Sequence, residues 1–176
     1  MSTYRLDKLF APRSVAVVGA SPRATSAGRA VIANLKAAGF AGALDVVNPR
    51  HPEIEGIGSV PSFAELSQPP DLAVIAVPAD RVAGVVAEVG AKGTPTAIII
   101  TAGLGHGEGS LADACEKEAR KTGLRLVGPN CIGVMAPHAK LNASFAAHTP
   151  QRLPRQCWAT SNPSSRRSRL PSRCCS

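Results

Sequence analysis

The sequence predicts an α/β domain on a doubly wound parallel sheet, and three observations predict it. Short apolar runs alternate with segments of helical length between Ser14 and Val127, the pattern of consecutive βαβ units. Only 3% of residues are aromatic while Ala, Val, Ile, Leu and Gly abound, which suits closely packed helices over a parallel sheet better than a β-sandwich. The 176 residues are enough for one such domain with a substantial core and too few for two large ones.

The elements follow in order. Residues 14–19 (SVAVVG) form an apolar run closed by glycine, as expected of a buried parallel strand. A helix is predicted over 26–38, with Ser26 as its N-cap and Gly39 as its stop. A second strand spans 44–47, followed by a loop rich in Pro and Gly and a short helix near 62–66. The alternation then repeats: strand 72–77, helix 80–91, strand 96–101, helix 110–121 and strand 124–127. Five strands separated by helices imply right-handed crossovers and a Rossmann-like sheet whose ligands sit at the carboxyl ends of the strands.

Charge is unevenly spread. Residues 1–150 hold 14 of the 20 Lys+Arg and all 12 Asp+Glu, so six of the eight net positive charges fall in the last 26 residues. The domain itself is nearly neutral, and nucleic acid is not its expected partner. No apolar run approaches the roughly 20 residues of a membrane span, and residues 1–10 lack the apolar core of a secretory signal; a cytoplasmic address is the expectation. Cys115, Cys131, Cys157, Cys174 and Cys175 show no C-x-x-C spacing, so neither a metal site nor a disulfide framework is expected.

Function therefore has to be read from five loops: GASPRATSAG, NPRHPEIEG, PAD, AGLGHGEGS and GPNCIG. In the first, Gly19 at the turn is followed by Ser21, Thr25 and Ser26 near the start of a helix, a suitable place for pyrophosphate. It is not the dinucleotide fingerprint, since no G-x-G-x-x-G occurs there. An NAD site also wants an acid after the second strand, where this chain has Asn48, Pro49 and Arg50. Arg50 or His51 there could meet a ribose phosphate, as in CoA or NADP.

The segments LFAPRSVAVVGAS (9–21), DVVNPRHPEIEG (45–56), DLAVIAVPAD (71–80), ITAGLG (100–105) and GPNCIGV (128–134) occur in this order. Over residues 5–150 the chain thereby resembles the CoA-binding domain of the NDP-forming acyl-CoA synthetases, which is similar to that of the succinyl-CoA synthetase α subunit. The stretch ITAGLGHGEGS looks like the branch fused to GNAT acetyltransferases.

The resemblance implies CoA as cofactor and a role for each loop. Gly19, Ala20, Ser21, Pro22 and Arg23 would lie against the pyrophosphate and adenosine end, with Asn48, Pro49 and Arg50 on the adenosine or ribose-phosphate side. Val77, Pro78 and Ala79 would contact the nucleotide or pantetheine, and Thr101, Ala102 and Gly103 the pantetheine arm. Asn130 and Cys131 would stand near the thiol end, Cys131 as a small packed residue rather than a nucleophile. The family's phosphorylated histidine belongs to a later domain, so none of His51, His106, His138 and His148 is assigned catalysis. Remaining synthetase domains or a subunit would be partners.

Residues 151–176 depart from the family pattern: they lack apolar periodicity and carry six of the eight net positive charges. The expectation is a single domain over 1–150 with a basic, disordered, non-family tail. A change of reading frame near Gln151 would account for it, since Trp158 to Ser161 read two bases later can encode Gly-Asp-Leu, which begins the family's next domain. On this reading the chain alone is a CoA-binding fragment and not a catalyst. Two alternatives are an NADP-binding oxidoreductase domain, resting on Arg50, and nucleic-acid binding through the tail, resting on its arginines.

Overall fold

The structure, a computed structural model, describes residues 5–147. The expectations for residues 151–176, including the disordered tail and the shifted frame, lie outside the described residues.

A short helix α1 (Leu6–Phe10) precedes β1 (Ser14–Val18), α2 (Ala27–Ala37) and β2 (Ala43–Val47). A hairpin of β3 (Glu53–Ile54) and β4 (Ile57–Val60) follows, then β5 (Leu72–Ile75), α3 (Ala79–Ala91), β6 (Thr96–Ile99), α4 (Leu111–Thr122) and β7 (Arg125–Val127). A second hairpin, β8 (Gly133–Ala136) and β9 (Leu141–Ser144), ends the described chain.

The main sheet runs β3-β4-β2-β1-β5-β6-β7. All its pairings are parallel except β3 with β4. The parallel strands taken in chain order give the arrangement 3-2-1-4-5-6, the Rossmann order, with the reversal between β1 and β5. The doubly wound α/β sheet is thus as predicted, but it has a sixth parallel strand: β4 pairs with β2 through Val46–Ser59 and Val47–Val60. Its sequence has the character of a loop because the strand is short, contains Gly58 and is only partly buried. Its partner β3 is reached through Glu55 and Gly56, both at positive φ (54° and 73°), as a two-residue type I′ turn requires.

Alternation along the strands divides the core in two. Val15, Val17, Val74 and Ile98 face one layer with Val31, Ile32 and Leu35 of α2 and Leu141 of β9. Ala16, Val18, Ile75 and Ile99 face the other, with Phe63 and Val82, Val86 and Val89 of α3. Burial on both faces explains why the strands read as unbroken apolar runs. The short helix predicted near 62–66 is a single 3₁₀ turn, Phe63–Glu65. Pro61 before it and Pro69 and Pro70 after it leave too few residues for a stable α-helix.

Both long-loop helices have serine N-caps, of which Ser26 is the one the sequence predicts and Ser110 stands where the sequence predicts the first helical residue. Ser26 Oγ accepts from the Arg29 amide, and Ser110 Oγ from the Asp113 amide. Residues after Ile75 and Ile99 leave the ladder two residues earlier than predicted, which frees Val77, Pro78 and Thr101 for the loops.

Candidate functional site

The carboxyl ends of β1, β2 and β5 open into a cleft of about 530 Å³ at the reversal of strand order. Gly19 forms its floor. Its amide donates to the Val47 carbonyl at 3.0 Å, and φ is 88°. A Cβ added there would stand 2.7 Å from Val77 Cγ1 and 2.8 Å from the Ala76 carbonyl oxygen, so only glycine lets the β1 and β5 loops approach this closely.

The first loop is held from within. Ser26 Oγ accepts from the Ser21 amide (3.1 Å) as well as the Arg29 amide (3.3 Å), and Arg29 Nη1 donates to the Pro22 carbonyl (3.0 Å). Arg29 also pairs with Glu55 in the β3–β4 turn, tying that hairpin to the loop. Ala20 is fully buried beneath α2, where a Cβ on Gly28 would lie 2.7 Å from Ala20 Cα. Ala20 therefore supports the loop and does not line the cleft. Pro22 does not line it either.

Asn48 organises the second loop. Its Nδ2 donates to the Ala20 carbonyl at 2.5 Å, while Oδ1 accepts from the Arg50 amide (2.7 Å) and the His51 amide (3.3 Å). This Asx-type turn leaves Pro49, Arg50 and His51 lining the cleft.

Charge in the cleft is one-sided. Arg23, Arg50 and Arg81 all line it, and none enters an ion pair among the described residues. Lys8, Arg29, Lys117, Arg120 and Lys121, by contrast, are paired with carboxylates. Asp80 is the acid among the lining residues. A group of cations with little internal neutralisation suits a polyanionic ligand.

A second cleft of about 370 Å³ adjoins the first on the α3 side of the sheet. It is walled by Val18, Val47, Phe63 and Val85 and shares Gly19, Pro49, Val77, Asp80 and Arg81 with the larger one. An apolar slot joined to a cationic cleft fits a molecule with a flat ring at one end and phosphates beyond it.

The remaining loops continue the same edge. Thr101 Oγ1 donates to the Val77 carbonyl at 2.7 Å, and the Asn130 amide to the Thr101 carbonyl at 3.1 Å. The loops after β2, β1, β5, β6 and β7 therefore form one linked track. At the roughly 4.8 Å spacing of neighbouring strands it spans about 19 Å, a length suited to an extended ligand. Ala102 and Gly103 are exposed on it. Cys131 Sγ packs 3.4 Å from the Ile99 carbonyl oxygen, behind Gly128. Ala79 starts α3.

Of the sixteen residues singled out in the sequence, Gly19, Ser21, Arg23, Asn48, Pro49, Arg50, Val77 and Pro78 line the larger cleft. Ala20, Pro22, Ala79, Thr101, Ala102, Gly103, Asn130 and Cys131 do not. Sequence reasoning missed Asp80 as a lining residue, Arg81, and the apolar slot, whose walls come from separate core segments. The only available signal was the P-A-D-R run opening α3. Among the described residues no group of three or more His, Cys, Asp or Glu could hold a metal ion, and no helix is long and apolar enough to cross a membrane.

Residues 13–137 match the protein family described as the CoA binding domain. The chain is 39% identical over 150 residues to an ADP-forming acetate–CoA ligase of Methanocaldococcus jannaschii, covering 85% of this chain and 21% of that one. It is 42% identical over 144 residues to the α subunit of ADP-forming acetate–CoA ligase II of Pyrococcus furiosus, covering 80% and 31%. Among solved structures, the apo form of a dinucleotide forming acetyl-coenzyme A synthetase 1 from Ca. Korarchaeum cryptofilum superimposes with a TM-score of 0.75 at 36% identity, over 80% of this chain and 31% of that one. The chain thus spans between about a fifth and a third of the length of these relatives.

Proposed function

The chain belongs to the CoA binding domain family, and from that membership we propose that it holds CoA or acyl-CoA along its linked loops as the CoA-binding module of an NDP-forming acyl-CoA synthetase. The observation that carries the reading is the set of three arginines around the cleft at the β1/β5 reversal, none of which enters an ion pair among the described residues. CoA has a pyrophosphate and a ribose 3′-phosphomonoester, the latter alone carrying about −1.5 to −2 at neutral pH. NAD lacks that monoester, and a cleft lined by three guanidinium groups is better matched to the more highly charged ligand.

Each part then has a task. Gly19 lets backbone approach the pyrophosphate, Arg23 neutralises it, and Arg50 adds positive charge from the loop expected on the adenosine or ribose-phosphate side. Asn48 holds Arg50 in place. Val77 and Pro78 support the ribose and the start of pantetheine, whose arm runs over Thr101, Ala102 and Gly103 toward Asn130 and Cys131. The domain positions the thiol; formation of the acyl phosphate and phosphoryl relay fall to other synthetase domains or a partner subunit. We place the CoA-binding unit at residues 1–150.

Titrating the chain with CoA and with NADP while following thermal unfolding tests this. A ligand at a hundred times its Kd that binds only the folded state adds about 2.7 kcal/mol. CoA should raise the midpoint and NADP should not. A rise with NADP and none with CoA would reverse the assignment toward an oxidoreductase domain.

A further inference from the structure

Resting on the CoA reading, we infer that Arg81, on the first turn of α3, is the residue that selects for the ribose 3′-phosphate, and so distinguishes CoA from CoA lacking that group. Arg23 and Arg50 line only the larger, cationic cleft, whereas Arg81 lines both clefts. The residues common to both are Gly19, Pro49, Val77, Asp80 and Arg81, and Arg81 is the cation among them.

The chemistry of the ligand places its ribose at this junction. A purine enters the slot formed by Val18, Val47, Phe63 and Val85, the flat apolar part of the site. The pyrophosphate lies in the cleft beside Gly19, Arg23 and Arg50. The ribose links the two, so its 3′-phosphate emerges where the clefts meet. A guanidinium there can make two parallel hydrogen bonds to a phosphomonoester, a geometry that an ammonium group cannot reproduce.

Arg81 is available for this. Its side chain enters no ion pair among the described residues, its amide is held by the Pro78 carbonyl at 3.0 Å, and the residue is exposed. Asp80 also borders the junction, whereas Glu88 lines the slot alone. Without Arg81, the 3′-phosphate would meet the Asp80 carboxylate with less compensation.

The test is the ratio of dissociation constants for CoA and 3′-dephospho-CoA, measured by calorimetry on the full chain. Arg81→Ala should weaken CoA binding about tenfold to hundredfold, the range of a hydrogen bond to a charged group, and change dephospho-CoA by less than twofold. Arg81→Lys should fall between, retaining charge without the fork. Arg23→Ala should weaken both ligands equally, because both keep the pyrophosphate, and Lys117→Ala should affect neither. Equal losses for both ligands in Arg81→Ala, or no loss, overturn the inference. Failure of the unaltered chain to bind either ligand overturns the CoA reading itself. Should Arg81→Ala unfold, Arg81→Gln gives the same ratio from a side chain of similar length.

Discussion

The side-chain amide of Asn48 donates to the main-chain carbonyl of Ala20 at 2.5 Å, joining the loop after β2 to the loop after β1. The position after the second strand is where an NAD-binding sheet places an acid. A carboxylate cannot donate this bond, so Asn48 does something an acid there cannot: it locks the two loops together while its Oδ1 turns Arg50 and His51 into the cleft.

Asn48→Asp should therefore destabilise the fold and lose ligand, although the two side chains have nearly the same shape. Leaving the Ala20 carbonyl opposite a carboxylate removes a donor from a part-buried bond, a loss of about 1–3 kcal/mol. Urea unfolding and CoA titration of the same variant check it. Unchanged stability with unchanged affinity would remove Asn48 from the loop architecture.

Gly19→Ala should be worse for the site than its size suggests. The new methyl meets Val77 Cγ1 at 2.7 Å and the Ala76 carbonyl oxygen at 2.8 Å, on a residue with φ of 88°. Non-glycine strain of this kind costs about 1–3 kcal/mol, and relief requires the β1 and β5 loops to separate. Denaturant unfolding should show the loss, and CoA affinity should fall along with it.

The order of β1, β2, β5, β6 and β7 and of α2, α3 and α4 was legible because both sheet faces are buried and these three helices carry their own punctuation, Ser26 and Gly39 around α2 being the clearest; the short α1 was not. The two hairpins were not. β4 is a partly buried edge segment with a glycine in it, and β8–β9 becomes recognisable only once β9 packs on α2. Within the site, Gly19, Asn48 and Arg50 could be picked out because turn residues cluster after strands. Arg81 could not, since a lone arginine on a helix face reads as solvated until two clefts are seen to meet beside it. Ala20 is the opposite case: it belongs to the first loop by sequence but is buried against Gly28 and does not line the larger cleft.

Asp45 provides a pH-dependent test of the sheet. It lies on β2 opposite Ala16, and burial pushes its carboxyl above the ordinary aspartate range. A raised acid pKa means that the folded state binds the proton more tightly than the unfolded state, so ionised Asp45 opposes folding. That opposition is absent below the ordinary value of about 3.9 and complete above the raised one. Asp45→Asn should thus be more stable than the parent at neutral pH, with the two stability curves converging as pH falls below about 3.9. A gap of constant size across that range would mean that something other than ionisation separates them.

Two N-caps separate folding from binding. Ser26 and Ser110 each accept from the amide three residues on, and losing such a cap costs about 1 kcal/mol in either helix. Ser26 Oγ has a second donor, the Ser21 amide of the first loop, whereas the Ser110 hydroxyl donates to the Gly107 carbonyl, away from the larger cleft. Ser26→Ala and Ser110→Ala should therefore lower the unfolding free energy by similar amounts. Only Ser26→Ala should also weaken CoA, because it frees the Ser21 amide and loosens the loop that carries Gly19 and Arg23. Guanidine unfolding and calorimetric CoA titration on both variants measure the two effects separately. Parallel losses of affinity in both would show that binding follows global stability and not the geometry of the first loop.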